Sequence, residues 1–487
     1  MVMNLYFSDI FDVSERQLET YGAFNISLIT DLPLFVDPFL LFNSDKDEYQ
    51  FLHQNMIKYL RFLRDKSTKS LVSPGLLRSW FHFSEVKQTW LGFCEAGNRG
   101  RGLGAKFAIA LNNNLNTLFS SFGSESVTRG THLEKLCLIE EGVGRDMISD
   151  FTTNLIKYYL LAYTQRFARG FLKRKLRKKV FVPRACFDYD TETWVTRTFE
   201  LPYYDGDYVL LTPKDILTRD DTWINKGDFV HDFNEIPKAI ENASLRDEIN
   251  NYFYTQLPRK PDEKDYERAA RATIRKFPEL IDYYIRHKED RGDEATRRSI
   301  LKVLDSHKLF IQQFGQLVRL LGEQTQFYDL SGKTAEETAK RIEFFKDVVE
   351  NKGGWRLFYV KRKPVRKEAD VHILFRLTWF GTPSDVSREV DDGRGTADFK
   401  ISKGSQDKTL VEFKLASNPQ LKRNLQKQLE IYQKASDART GYKVIIYFTR
   451  EEFIKVDKIL AELKMSTNPK IILVDARKDN KFPGSKA

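Results

Sequence analysis

The sequence predicts a mixed α+β protein with a large, mostly helical N-terminal region, a helical middle segment and a C-terminal αβββαβ core. Three observations carry that expectation. Apolar residues recur at helical spacing in the first 350 or so positions, strand-like and helix-like runs interleave over about the last 130, and 487 residues exceed one ordinary hydrophobic core. Composition shifts divide the chain into 1–260, a mixed α/β recognition or regulatory region, 261–353, a helical connection, and 354–487, the final domain.

Taken in order, "DEYQFLHQNMIKYLRFLRDK" sets Leu52, Met56, Tyr59, Leu60 and Leu63 three and four apart, as an amphipathic helix requires. "DMISDFTTNLIKYYLLAYTQRFA" repeats the pattern through Ile148, Phe151, Leu155, Ile156 and Tyr159 and reads as one helix, with Ser149 or Asp150 near its start as a cap. The basic run "LKRKLRKKVFVPR" then leads into the strand-like pieces "TWVTRTFELP" and "YVLLTP". From 261 to 351 the pattern is helical and strongly charged, and Gly353 and Gly354 end it as a C-cap. "ADVHILFRLTWF" follows as helix, "SDVSREV", "TADFKIS" and "TLVEFKLAS" as strands, with a turn at Gly404 between the last two. Asn418 caps the next helix with Pro419 at its first position, and "KVIIYFT", "EEFIKVDKILAEL" and "KIILVDA" close the chain as strand, helix, strand.

Composition narrows the function classes. The net charge is +11, and from Lys361 to Arg450 there are 19 Lys and Arg against 11 Asp and Glu, which favours an anionic partner. No uninterrupted apolar run reaches the roughly 18 residues a membrane span needs, and the N-terminus lacks a secretory pattern, so a cytoplasmic protein without a membrane partner is expected. Cys94, Cys137 and Cys186 are isolated, without CxxC spacing, and read as reduced core thiols.

Charged residues inside a buried strand carry the chemistry. In "TLVEFKLAS" side chains two apart share a face, so Glu412 and Lys414 point one way while Val411, Phe413 and Leu415 point the other. The Gly404 turn brings Asp398 of the preceding strand alongside. Two carboxylates with room for water suit Mg²⁺, with Mn²⁺ as a substitute, and a lysine beside them can hold an attacking water or steady charge on a phosphate.

Asp398, Glu412-Phe413-Lys414 and the αβββαβ order resemble the PD-(D/E)XK nuclease superfamily, the restriction-endonuclease-like fold, from about Glu368 to Asp475. Here "TAD" replaces the Pro-Asp pair. Gln428 and Tyr432, four apart on the following helix, look like the QxxxY pair of the RecB-like branch. The resemblance implies Asp398 and Glu412 as metal ligands, Lys414 as the catalytic lysine, and Gln428 with Tyr432 as supporting residues. Glu389 adds a carboxylate from the strand before, Arg394 stands near the metal, and Lys422, Arg423 and Lys427 suit phosphate contacts. The expected activity is Mg²⁺-dependent cleavage of DNA in prokaryotic defence against phage or plasmids, acting as a homodimer or with a partner defence protein. An RNA-cleaving toxin-like nuclease and a non-catalytic nucleic-acid-binding protein are the alternatives.

Other signals are read structurally. The glycines of "GNRGRGLGAK" form a turn, His372 is a satisfied histidine, and "SGKT" at 331–334 lacks the first glycine of a phosphate-binding loop. Asp146 and Asp150 either complement a helix N-terminus or form a second functional site, and the run Lys173 to Lys179 is either a solvated face or a DNA-binding patch.

Overall fold

The computed structural model describes residues 5–29, 31–69, 72–92, 108–109, 111–112, 115, 125–135, 138, 145–219, 221–233, 236–240, 242–324, 332–360, 363–365, 371, 379, 385–391, 396–403, 407–426 and 440–480; the side chains of 385–391 and 396–398, with a few others, lie outside that description. The architecture is mixed α+β, with a mostly helical N-terminal region. Most of the helix read from "ADVHILFRLTWF", together with His372, Cys94, Cys137 and the Gly97 turn, falls outside the described residues.

Helix α1 (Asp47–Lys69) buries Met56, Tyr59, Leu60 and Leu63, the face its spacing predicts. The single helix expected after residue 145 is instead two, α2 (Arg145–Leu155) and α3 (Lys157–Phe171), separated at Ile156 with φ −94° and ψ 8°. Side chains compete for backbone carbonyls just before the break. Thr152 Oγ1 donates to the Ile148 carbonyl at 2.7 Å and Asn154 Nδ2 to that of Asp150 at 2.9 Å, a pattern that bends helices.

The basic run enters strand β1 (Arg177–Asp188), which pairs antiparallel with β2 (Thr193–Tyr204) across an irregularity between Val182 and Cys186. Of "YVLLTP", Tyr208 alone joins a strand, although Val209, Leu210 and Leu211 are buried. In the middle segment α4 (Gly292–Ser306) runs through a wider π turn at His307–Gln313 into α5 (Phe314–Gln324). Next comes α6 (Thr334–Asn351), and Gly353, at φ 79°, ends it in the left-handed region where glycine has no Cβ penalty.

Five strands form the C-terminal sheet: β3 (Asp385–Asp391), β4 (Thr396–Lys403), β5 (Asp407–Leu415), β6 (Thr440–Tyr447) and, after helix α7 (Arg450–Glu462), β7 (Ile471–Asp475). They lie side by side in chain order. The first three make an antiparallel meander, and β5, β6 and β7 run parallel. Parallel neighbours need crossovers, which α7 and the helix beginning at Leu421 supply. That helix starts two residues later than Pro419 suggests, because Asn418 Oδ1 accepts from Gln420 N at 2.8 Å and holds a turn ahead of it.

Helices cover both faces of the sheet. Phe345 of α6 meets Phe413 edge-on, with Ile342, Val348 and Val349 in the same cluster, while Ile445 and Tyr447 pack with Leu421, Leu425, Val456 and Leu460 on the opposite face. The start of α6 is capped from β5: Asp407 accepts from Thr334 N at 3.0 Å and from its Oγ1 at 2.6 Å. Thus α6, which its sequence groups with the connecting segment, forms a layer of the C-terminal sheet. One apolar cluster runs from Leu5 to Ala476 and crosses position 353 without a gap. Among the described residues no helix is long and apolar enough to cross a membrane.

Candidate functional site

Strand β5 divides its side chains as its sequence requires. Val411, Phe413 and Leu415 join the apolar layer under α6, and Glu412 and Lys414 occupy the other face beside Ile445. Both charged side chains are buried, 2% and 7% exposed, with Lys414 Nζ 3.5 Å from Glu412 Oε1. An exposed pair costs little and contributes little, whereas withdrawing two charges from water costs several kcal/mol per ion. A fold that keeps them there concentrates charge where its field is least screened.

The strand register aligns the other acidic positions with Glu412. Val411 stands opposite Phe399, so the next step along the ladder makes positions 412 and 398 level. Arg388 pairs with Phe399 and Val390 with Ala397, which leaves 389 and 398 level between them. Positions 389, 398 and 412 therefore form one row across three adjacent strands; the side chains of Glu389 and Asp398 lie outside the described residues. The donor chemistry fits a hard divalent cation, since Glu412 offers buried carboxylate oxygens and the row holds two further acidic residues.

On β6 the row continues at Lys443, in register with Glu412 and 4% exposed. Its Nζ donates to the carbonyls of Asn424 at 3.2 Å and Leu425 at 2.9 Å, fastening the helix that follows β5. Lys455 of α7 does the same at the end of β5, donating to Ala416 O at 2.9 Å and Asn418 O at 3.1 Å. Sequence reasoning missed Lys443; its one signal was a lone charge opening the apolar run "VIIYF". Lys422 is exposed and bound to Glu462 of α7 at 2.8 Å, and Arg423 is exposed one position on. Arg394, Lys427, Gln428 and Tyr432 lie outside the described residues.

Two N-terminal features hold ionisable groups on other elements. Asp150, half-buried on α2, has its pKa pushed up to about 8 by burial and then by Asp146 and Glu85. Asp146 sits in the first turn, where a carboxylate complements the helix dipole; Asp150 is one turn further in. A cavity of about 450 Å³ on α1 is lined by Phe42, His53, Arg61, Arg129 and neighbours. Burial, then the charge of His132, brings the His53 pKa down to about 3. The cavity wall at 129–130 is held by Glu289, which accepts from Arg129 N at 2.7 Å and Gly130 N at 3.0 Å.

Residues 12–225 match a sequence family described as a domain of unknown function, DUF8370, and residues 334–450 match another so described, DUF8371. No curated protein and no solved structure matches the chain. The second match opens on the first residue of α6 and takes in β3 to β6, so it spans the helical layer, the acidic row and every candidate site residue as one unit.

Proposed function

We propose that the C-terminal sheet is the catalytic core of a Mg²⁺-dependent nuclease that hydrolyses phosphodiester bonds in DNA, within the PD-(D/E)XK superfamily. The observation that carries this reading is the burial of Glu412 and Lys414 side by side on the central strand, with Glu412 level in register with positions 398 and 389. Glu412, with Asp398 and Glu389, would hold the metal, which when bound supplies Lewis-acid stabilisation of the phosphate charge. Lys414 Nζ, 3.5 Å from Glu412, orients the attacking water and steadies negative charge as the phosphorus is attacked. Lys443 is a positioning residue, because its ammonium grips the helix carbonyls behind the site. Cutting both strands of a duplex takes two such centres, hence two chains. Target recognition or restraint by the N-terminal region would suit a defence role.

The test incubates the full chain with plasmid DNA, linear DNA and RNA, in Mg²⁺ or EDTA. DNA cleavage that EDTA abolishes is expected, with Lys414→Ala and Glu412→Gln each lowering the rate about 100-fold or more. Cleavage that survives Lys414→Ala would refute the site, and cleavage of RNA alone would refute the substrate.

A further inference from the structure

We propose that the open face of the β1–β2 hairpin, together with the 3-10 turn that leads into it, binds single-stranded DNA, with phosphates against Arg174 and Lys175 of the turn and Lys179 of the strand, and an unpaired base on the ring of Phe181. The choice of DNA over other polyanions rests on the nuclease reading; the surface itself is read independently. One face of the hairpin is used up in packing. Val182, Ala185, Phe199 and Leu201 are buried in a cluster with Leu161 of α3. Alternation then turns Arg177, Lys179 and Phe181 to the opposite face, about 7 Å apart along the strand.

Charge on this segment is one-sided. From Lys173 to Phe187 there are 7 Lys and Arg and no Asp or Glu. Neighbouring acids engage some of them: Asp12 binds Lys173, and Glu200 binds Arg177 at 3.6 Å and Arg169 at 3.2 Å. Arg174, Lys175 and Lys179 are exposed and make no ion pair among the described residues, although the charge of Lys175 acts on Asp12 and Lys179 stands level with Glu200 across the hairpin. Lysines on an edge strand can serve simply to stop another strand from pairing. A bare aromatic ring among them works against that purpose, and Phe181 is 77% exposed, the most of any exposed large hydrophobic described. Cations that follow a backbone, with an aromatic ring beside them, form a stacking platform for unpaired bases.

The geometry favours a single strand over a duplex. The hairpin tip carries Asp188 and Asp190, with Glu192 paired to Lys66, so the surface that attracts phosphates is confined to the basic end of the ribbon. Bases inside a duplex are stacked already and offer Phe181 no free face.

Fluorescence anisotropy of the full chain with labelled oligo(dT), oligo(rU) and a DNA duplex, in EDTA so that nothing is cut, tests the proposal. Lys175→Glu with Lys179→Glu should weaken oligo(dT) binding by about ten-fold or more and reduce its salt dependence. Phe181→Ala should weaken oligo(dT) by about five-fold or more and the duplex far less. All three positions are exposed, so unchanged melting and circular dichroism verify the fold. Unaltered oligo(dT) affinity in either variant overturns the proposal, and tighter binding of oligo(rU) than oligo(dT) overturns the DNA assignment. Because binding is read without cleavage, a chain that binds as expected but never cuts supports this surface and sinks the nuclease reading; the converse result sinks only the surface.

Discussion

Asp150 keeps its proton near neutrality because burial disfavours the charged carboxylate, and ionising it would also add a third negative charge beside Asp146 and Glu85; this makes stability depend on pH. The unfolded chain releases that proton near pH 3.8, while the folded chain holds it to about 8. The folded state therefore binds more protons across this window, and stability falls as pH rises through it. Asparagine mimics the protonated acid. Asp150→Asn should match the wild type in urea unfolding near pH 4 and exceed it by roughly 1–3 kcal/mol at pH 8. A difference that is the same at both pH values would show that Asp150 ionises normally. Glu412 and Lys414 are also charges in a buried setting, and they were legible because nothing else in an apolar strand explains them. Lys443 was not, since the carbonyls it serves, 18 and 19 residues away, come near it only on folding.

At the scale of elements, α6 shows how a buried ion pair can disguise a helix. Glu337 and Arg341 are both fully buried, with Arg341 Nη2 2.9 Å from Glu337 Oε1, Lys403 of β4 3.6 Å from Oε2, and the guanidinium 4.7 Å over the Trp379 ring. A reader of "KTAEETAKRIEFFKDVVEN" assigns those charges to solvent and the helix to a linker; folding sends them inward against the sheet. Removing one partner takes a counter-charge away from a fully buried group. Glu337→Ala is expected to cost about 3–5 kcal/mol in denaturant unfolding, and Glu337→Leu with Arg341→Met to recover most of it. A loss below about 1 kcal/mol for the single change would mean that water reaches the pair. Helices and strands whose charges do face solvent, such as α1, were read correctly from periodicity alone. The break at Ile156 was not, because periodicity does not register side chains that take carbonyls from their own helix.

One apolar cluster, beside three others, reaches from the N-terminal region to the end of the last strand, and long-range hydrogen bonds trace the same continuity. Tyr6 Oη donates to the Phe310 carbonyl at 2.5 Å, Gln313 Nε2 to that of Tyr359 at 2.9 Å, and Tyr359 Oη to that of Ala476 at 3.0 Å, tying the N-terminal region to the middle helices and these to the last strand. A cut at position 353 would therefore strip the sheet of a layer. Ile342, Phe345, Val348 and Val349 of α6 are each 1% exposed or less. At about 1.5–3 kcal/mol per buried apolar side chain, losing four removes roughly 6–12 kcal/mol, comparable with the whole stability of a typical domain. The fragment 354–487 should show no cooperative melting transition and should bind a hydrophobic dye through the uncovered Val411, Phe413 and Leu415 face. Scanning calorimetry and dye fluorescence on that fragment decide the matter: a sharp endotherm with no dye uptake would mean that the sheet stands without α6.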